Sequence, residues 1–350
     1  MSTCGGHTTS LAYWATRCGN GGGLCRASLA DMGKLKAGAK DSKLMRKTMA
    51  ELGAIPSEMG LLSPDAKAPV RNNMHLLVAT DKDRRHSRGT SCHTLPGVTA
   101  THALETPALP DDAFCEVGDG LFVSSPELTF LQMASIAKRF DQVVETGYLL
   151  CGAFALSPYG YDRVDHRDPV TSVEKISAFL AQMPGVQGVD RARQALQYVH
   201  GNCDSPPEVH LSMDFGLPEK RGGRGWPLHD CAHVVPLEEP RHRRMLGCDY
   251  IKGDVHFPSL NSMFEYDSYE DHMGKWQFDH TQKRAQILRN LEYTVVSVTY
   301  GMVMNNQEFD DWVYEWERYL GIEKPVPSLK VQGLQHDLHA FLTQPQRRRF

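Results

Sequence analysis

The segment GDVHFPSLNSMFEYDS, residues 253 to 268, decides the fold of the C-terminal half because it predicts an acidic β-hairpin. An apolar run follows Asp254, a second β-prone run surrounds Phe264, and four residues connect the two runs at 259 to 262. In such a hairpin, Asp254 on the first strand and Glu265 on the second strand converge. Hard divalent cations bind to oxygen clusters of this kind. We therefore expect Asp254 and Glu265 to be ligands of Mg²⁺ or Mn²⁺.

The alternation of side chains along the second strand supports a metal site. Met263, Glu265 and Asp267 share one face of this strand, and the two aromatic residues between them share the other. Acidic side chains are unfavourable in strands unless they have a partner or reach solvent. A bound cation is one such partner.

Two residues beyond the hairpin are further candidates. His272 follows the second strand, and we consider it as a general base or phosphate contact; the alternative is an exposed loop histidine. In the helical pattern that comes next, Lys283 lies one turn after Asp279, so both side chains point to the same side. Lys283 is a candidate for a cation that stabilises charge on a phosphate, and an ordinary surface ion pair is the alternative.

A helix start precedes the hairpin. Ser205 and Pro206 are typical of an N-cap and a first helical residue, and Glu208 completes a capping box with Ser205. The predicted order from this helix onward is helix, strand, strand, helix, strand. This order indicates a mixed α/β sandwich.

Composition limits the classes of protein. The chain has 350 residues, of which 41% are hydrophobic and 23% charged, enough to bury a sizeable core and to form two domains. The net charge of -4 conceals basic residues near the acidic segment, where a polyanion could be held locally. These candidates for DNA contact are Arg221, Arg224, Arg241, Arg243 and Arg244.

Membrane insertion and disulfide bonding are not indicated. No run approaches the roughly 20 apolar residues of a membrane span, and no leader opens the chain, so we expect a cytoplasmic protein. The nine cysteines include no CxxC pair, so reduced thiols are the default. A zinc-organised interaction protein remains a third hypothesis, with the set Cys231, His233, His242 and Cys248.

The motifs together resemble a known family. The similarity to the very-short-patch-repair-like (Vsr-like) branch of PD-(D/E)XK nucleases rests on SPPE at 205–208, GDVHFP at 253–258, FEYDS at 264–268, His272, Asp279 with Lys283 and Arg284, and YTVVSVT from residue 293. Upstream, LFVSSPELTFLQMA at 121–134 and LLCGAFAL at 149–156 resemble the companion domain of abortive-infection (AbiE-type) proteins.

The resemblance implies a restriction-endonuclease-like mixed sheet flanked by helices, preceded by a smaller α+β and helical region. It implies Asp254 and Glu265 as metal ligands, with Glu208 as a helix acid that completes or orients the site. His272 falls in the family's histidine region. The sequence departs from the family at Asp267, which stands where the superfamily has its signature lysine.

The expected domain organisation follows from the resemblance and from composition. We expect a flexible segment at 1–34, a recognition region at 35–170, a helical connector at 171–203, a nuclease domain at 204–322 and a C-terminal tail at 323–350. The flexible segment is predicted from its many Gly, Ser and Thr residues.

The sequence therefore predicts a Mg²⁺- or Mn²⁺-dependent DNA endonuclease of restriction, repair or phage-defence type. The alternative is a non-enzymatic DNA-binding regulator or antitoxin-like defence protein, in which the nuclease fold is degenerate. The expected partners are DNA and either a second copy of the chain or a defence-system protein.

Overall fold

The structure is a computed structural model that describes residues 2–17, 24–32, 34–52, 54, 73–85, 87–94, 109–118, 120–157, 160–267 and 275–343. The chain divides into two compact units, Met1–Gly201 and Asn202–Arg349. The expected connector at 171–203 therefore lies almost entirely in the first unit, where its helices pack with the other helices of that unit.

The first unit contains a six-stranded mixed sheet with the order β2-β5-β6-β1-β3-β4. Its strands are β1 (Thr3–Gly5), β2 (Arg26–Ala27), β3 (Met74–Val78), β4 (Thr90–Thr94), β5 (Phe114–Gly118) and β6 (Leu121–Ser124). Strand β1 pairs in parallel with β6 and antiparallel with β3, and β3 pairs in parallel with β4. A separate hairpin is formed by β7 (Phe154–Ser157) and β8 (Gly160–His166).

The helices of the first unit surround one buried helix, α4. They are α1 (His7–Thr16), α2 (Leu29–Met32), α3 (Ala39–Glu51), α4 (Pro126–Ile136), α5 (Phe140–Cys151), α6 (Val173–Ala181) and α7 (Val189–Leu196). Helix α4 begins as the sequence predicts, because the Ser125 hydroxyl accepts a hydrogen bond from the Leu128 amide at 3.2 Å and proline occupies the first turn. Helices α1, α5, α6 and α7 pack against it.

The expectation of a flexible N-terminal segment is wrong for the described residues at its start. Strand β1 is central in the sheet, and Trp14 of α1 is fully buried and donates a hydrogen bond to the Ser124 carbonyl at 2.8 Å. Small residues serve close packing here: a Cβ on Gly6 would lie 2.7 Å from the Leu77 side chain. Gly6 therefore serves a close approach of chain segments. Residues 18–23, which contain the run of glycines, lie outside the described residues.

The second unit contains a four-stranded sheet with the order β12-β11-β10-β9. Its strands are β9 (Asp230–Pro236), β10 (Tyr250–Phe257), β11 (Ser262–Asp267) and β12 (Thr294–Thr299). Strand β10 is antiparallel to both β9 and β11, and β12 is parallel to β11. The predicted hairpin is confirmed: a 3-10 turn at Pro258–Leu260 connects β10 to β11, and Asn261 takes the left-handed φ of 45° that closes it.

Helices cover both faces of this sheet, as a mixed α/β fold requires. They are α8 (Pro206–Gly216), α9 (Pro240–Leu246), α10 (Lys275–Asn290), α11 (Tyr300–Met304), α12 (Asn306–Leu320) and α13 (Leu329–Thr343). Phe264 packs in one apolar cluster with residues of α8 and α12, whereas Met263 packs in another with residues of α10. The predicted alternation along β11 is thereby confirmed.

The described part of the C-terminal region is packed. It is not the tail that the sequence predicted. Helix α13 packs against α8, and its His339 is 1% exposed. One ring nitrogen of His339 lies 2.9 Å from Asp214 Oδ2 and the other lies 2.6 Å from the Val303 carbonyl. Burial lowers the pKa of His339, but the Asp214 carboxylate and the Val303 carbonyl outweigh burial and raise its pKa above the ordinary value. Two acceptors therefore hold an imidazolium between α8 and α11.

Replacement of His339 by leucine should lower the free energy of unfolding by about 3 to 5 kcal/mol, because it leaves Asp214 buried without its partner. The stability from this pair is complete below the unfolded histidine pKa of about 6.5 and is lost as pH rises through the raised folded pKa. Urea titration at several pH values measures both effects. Lys330→Gln, at an exposed position of the same helix, is the control, and equal stability of the two variants would contradict the assignment.

Candidate functional site

The hairpin brings the two predicted metal ligands together. Val255 pairs with Phe264, and the same register, continued by one residue, places Asp254 opposite Glu265. The amide of Tyr266 donates a hydrogen bond to Asp254 Oδ2 at 2.7 Å. Asp254 is therefore fixed by the backbone of the strand that carries Glu265.

Glu208 enters the same site from the first turn of α8. Its two carboxylate oxygens accept hydrogen bonds from the Asp204 amide and the Ser205 hydroxyl, each at 2.8 Å, and Ser205 Oγ accepts the Glu208 amide at 3.4 Å. Ser205 is the predicted N-cap, and Glu208 closes a variant of the capping box in which it binds the amide of Asp204, one residue before the N-cap, in place of the Ser205 amide. Glu208 is also close enough to Asp254 for the two charges to repel, so it is both a cap and a neighbour of the acidic pair.

Burial and mutual repulsion raise the pKa of each carboxyl group. The pKa of Asp254 rises to about 6 and that of Glu265 to about 8, in both cases chiefly through burial. Burial, followed by repulsion from Asp254, raises the pKa of Glu208 well above its usual range. Burial also raises the pKa of Asp267 at the end of β11. Within the described residues, Glu265 Oε1 is buried without a hydrogen-bond partner.

These features fit a hard divalent cation. The donors are carboxylate oxygens, one of them has no partner, and each group resists ionisation chiefly because it is buried and then because its neighbours are also acidic. A cation held among them would favour the ionised forms. Asp254 and Glu265 are the residues of this set best placed to hold it; within the described residues no three of these acids bring one oxygen each within 4.8 Å of the others, so Glu208 is a neighbour and not a third ligand.

The cation on α10 that reaches the site is Arg284 and not Lys283. Arg284 Nη2 donates to Glu265 Oε2 at 2.7 Å and to the Lys252 carbonyl at 2.8 Å, whereas the Lys283 side chain is exposed. The reason lies in helical periodicity: Arg284 is on the inward stripe that continues with the buried Ile287 and Leu288. The spacing of Asp279 and Lys283 correctly indicates a shared side, but that side faces solvent.

Lys252 is a second cation that the sequence argument missed. It lies on β10, two residues before Asp254, and its Nζ donates to Asp204 Oδ1 at 2.6 Å. Asp204 also raises the pKa of Asp254 by repulsion, which places the Lys252–Asp204 pair beside the acidic residues. The sequence contains a signal for this: one residue separates Lys252 from Asp254 in β10, and alternate residues of a strand lie on the same face.

The backbone beside Asp254 is irregular. Gly253 pairs with His233 and Val255 pairs with Cys231 across β9 and β10, whereas Asp254 and its counterpart Ala232 do not pair in the ladder. Ala232 has a φ of 57°, which is unfavourable for a residue with a Cβ. Local distortions of strands are common next to functional sites, where they re-aim a side chain.

The five arginines predicted for DNA contact do not share one environment. Arg224 is buried, forms an ion pair with Asp310 and lies 5.7 Å from the centre of the Phe309 ring. It is a structural residue, because a buried guanidinium that is paired with a carboxylate is not exposed to a polyanion. The other members, which are exposed, are Arg221, Arg241, Arg243 and Arg244.

Two remaining predictions have different outcomes. His272 lies outside the described residues. The proposed Cys/His zinc set does not assemble: the Cys231 thiol donates to the Ser212 hydroxyl at 3.5 Å, and the Cys248 thiol donates to the Tyr250 carbonyl at 3.1 Å. In the described ranges, groups with ligand atoms within 4.8 Å of one another are instead His7, His75 and His93, and Asp230, His233 and His256.

Sequence reasoning missed both groups because strand register, which spacing does not reveal, brings their members together. Asp230 pairs with His256 across β9 and β10.

No helix in the described ranges combines the length and the apolar composition that crossing a bilayer requires.

Asp254→Asn should stabilise the metal-free protein at pH 8 by about 1 to 3 kcal/mol, since it removes a charge that is repelled by its neighbours. The folded carboxyl group has the higher pKa, so its contribution to stability is present below the unfolded pKa of about 3.9 and is lost as pH rises through about 6. The difference between variant and parent should therefore fall to about half of its pH 8 value at pH 5 and approach zero below the unfolded pKa. Urea titrations in EDTA measure it. Asp279→Asn, an exposed acid on α10, is the control, and a difference independent of pH would contradict the prediction.

Comparison of the chain with protein-family models, with curated proteins and with solved structures finds no match.

Proposed function

We propose that the second unit is a metal-dependent endonuclease that hydrolyses phosphodiester bonds in DNA, of restriction, repair or phage-defence type. The observation that supports this most directly is the convergence of Glu208, Asp254 and Glu265 with raised pKa values and an unpartnered Glu265 oxygen. A mixed sheet flanked by helices is compatible with the restriction-endonuclease-like fold that the sequence resemblance implies.

The proposed cofactor is Mg²⁺ or Mn²⁺. When bound, such an ion supplies a water that is nucleophilic near neutral pH and neutralises charge on the attacked phosphate. Asp254 and Glu265 hold the ion. Glu208, on α8, lies close to Asp254 and limits the positions that the Asp254 carboxylate can take. The hydrogen bond from the Tyr266 amide keeps Asp254 oriented when its proton is lost.

Arg284 takes the electrostatic role that we expected of Lys283. Its guanidinium is hydrogen-bonded to Glu265. Negative charge that develops on a phosphate bound there would lie close to this guanidinium. Lys252 adds a second positive charge beside Asp204. These two cations compensate for the acidic residue, Asp267, at the position of the superfamily lysine.

Contact with DNA is proposed for the exposed arginines of α9. Three of them, Arg241, Arg243 and Arg244, lie on this short helix, which packs against α10. Arg243 donates from Nη2 to the Glu238 carbonyl at 2.9 Å, so its orientation is partly set. The chain as a whole is slightly acidic, and binding would therefore depend on this local charge and on salt.

A non-enzymatic role is the second candidate, and the ion pair between Arg284 and Glu265 favours it. A guanidinium bound to a metal ligand neutralises it without any ion, and Asp267 replaces the signature lysine. In that case the unit would be a DNA-binding regulator or an antitoxin-like defence protein. For either function we propose the cytoplasm as the location. The proposed partners are DNA and, in addition, either a second copy of the chain or a defence-system protein.

Asp254→Asn and Glu265→Gln should each abolish Mg²⁺- or Mn²⁺-dependent cleavage while the circular dichroism spectrum is retained, because each removes a charged ligand. Glu208→Gln should reduce cleavage with little change in melting temperature. At metal concentrations below saturation, parental cleavage should increase from pH 6 to pH 9, since Asp254 and Glu265, with pKa values of about 6 and 8 in the absence of metal, must be ionised to bind the ion. Plasmid and single-stranded DNA with each metal, and with EDTA, are the substrates to compare.

Asp279→Asn is the matched control for these variants and should cleave at the parental rate. Cleavage by either ligand variant would refute the metal site. A parent that binds DNA but never cleaves it with either metal would favour the regulator.

Arg284→Met should reduce turnover by roughly 10²- to 10³-fold, judged from the loss of a comparable electrostatic donor. The Michaelis constant should change far less, because the interaction strengthens in the transition state. Arg284→Lys, which retains the charge, should recover part of the activity, and the neighbouring Lys283→Met should have none of these effects. Equal rates for the two methionine variants would exclude Arg284 from catalysis.

A further inference from the structure

A group of three histidines lies in the first unit and has no part in the proposed nuclease chemistry. His75 is on β3 and His93 is on β4, and the parallel register pairs Leu77 with His93. Because side chains in a strand alternate with a period of two, His75, Leu77 and His93 share one face of the sheet. His7 begins α1 directly after β1, the strand on the other side of β3.

The three rings are in contact. His75 Nδ1 lies 2.9 Å from His93 Nε2, and the ring centroids are 3.9 Å apart for His7 and His93. One nitrogen from each ring falls within 4.8 Å of the others. Imidazole ligands at the usual zinc distances in a tetrahedral site are separated by about 3.3 Å, so the rings need to move by only about 1.5 Å or less.

An independent observation points to a missing ligand. His7 is 5% exposed, and its Nδ1 is buried with no hydrogen-bond partner in the part of the chain that the structure describes. The His7 backbone has a left-handed φ of 52°, and its amide donates to Gln132 Oε1 at 2.8 Å, which fixes the residue in this position. An unpaired buried polar atom destabilises the folded state, and a bound ion would remove that cost.

The charge state of the group selects the ligand. Burial lowers the pKa of His7 to about 2 and that of His93 to about 4, with the neighbouring histidines and, for His93, Arg84 adding to the effect. Burial also lowers the pKa of His75. The rings are therefore neutral near pH 7, the form that binds metal, and an uncharged group does not attract anions. Nitrogen donors disfavour Mg²⁺ and Ca²⁺ and suit Zn²⁺.

We propose that His7, His75 and His93 form a Zn²⁺ site with three imidazole ligands and a water in the fourth position. The site connects the start of α1 to β3 and β4 and stabilises the first unit. In the metal-free protein, one proton lies between His75 and His93. On binding, that proton moves to the other nitrogen of its own ring, so three neutral imidazoles bind the ion without net proton release.

The test uses the full-length protein, stripped with EDTA and titrated with Zn²⁺ and, for its visible absorption, Co²⁺. Competition with a chromogenic chelator gives the affinity. His75→Asn and His93→Gln should each weaken Zn²⁺ binding at least tenfold, as the loss of a metal ligand does. His233→Asn, which disrupts the other group of potential ligands, should leave this affinity unchanged. Absence of tight Zn²⁺ binding, or loss of binding in His233→Asn alone, would overturn the proposal.

A second measurement does not depend on the folding of the histidine variants. X-ray absorption of Zn²⁺-loaded His233→Asn protein should show three imidazole rings around the metal at about 2.0 to 2.1 Å. Fewer than three rings would overturn the assignment. Zn²⁺ should also raise the melting temperature of this protein, since a ligand that binds only the folded state stabilises it. Asp254→Asn should retain the full response, which separates this site from the proposed nuclease site.

Discussion

The register of the β10–β11 hairpin is the constraint on which the second unit depends. It directs Phe257 and Phe264 to the cluster beneath α8 and α12 while Met263 packs toward α10, so a slip of one residue would reverse the burial of β11. The same register sets Asp254 opposite Glu265. Core packing and the placement of the acidic pair are therefore consequences of the same strand pairing. Burial strengthens the repulsion between the carboxylates, and the apolar contacts offset it.

The two groups of potential metal ligands have opposite chemistry. The acidic group in the second unit consists of oxygen donors that resist ionisation chiefly because they are buried and also because they repel one another, and it suits a hard cation. The histidine group in the first unit consists of neutral nitrogen donors, and it suits a softer ion. Burial raises the pKa of the acids and lowers that of the histidines, because in both cases it disfavours the charged form.

Arg284 illustrates how function and stability are combined at one position. Its guanidinium belongs to the inward stripe of α10, yet it binds Glu265 and the Lys252 carbonyl at the edge of the core. In the absence of metal it reduces the repulsion among the acids. In the proposed nuclease the same contact would place a positive charge where a phosphate meets the acidic residues. The arginine lies one turn before Ile287 and Leu288, through which the helix packs.

The sequence by itself determined the local elements of the second unit: the capping box at Ser205 and Glu208, the acidic hairpin, and the helix and strand after it, because these depend on periodicity and turn chemistry. It did not separate Arg284 from Lys283 or Arg224 from the exposed arginines, since inward and outward positions depend on packing partners. It also missed β1 as a central strand and the contact of His7 with His75 and His93. Only the tertiary structure decided these, because pairing between distant strands leaves no spacing signal in the chain.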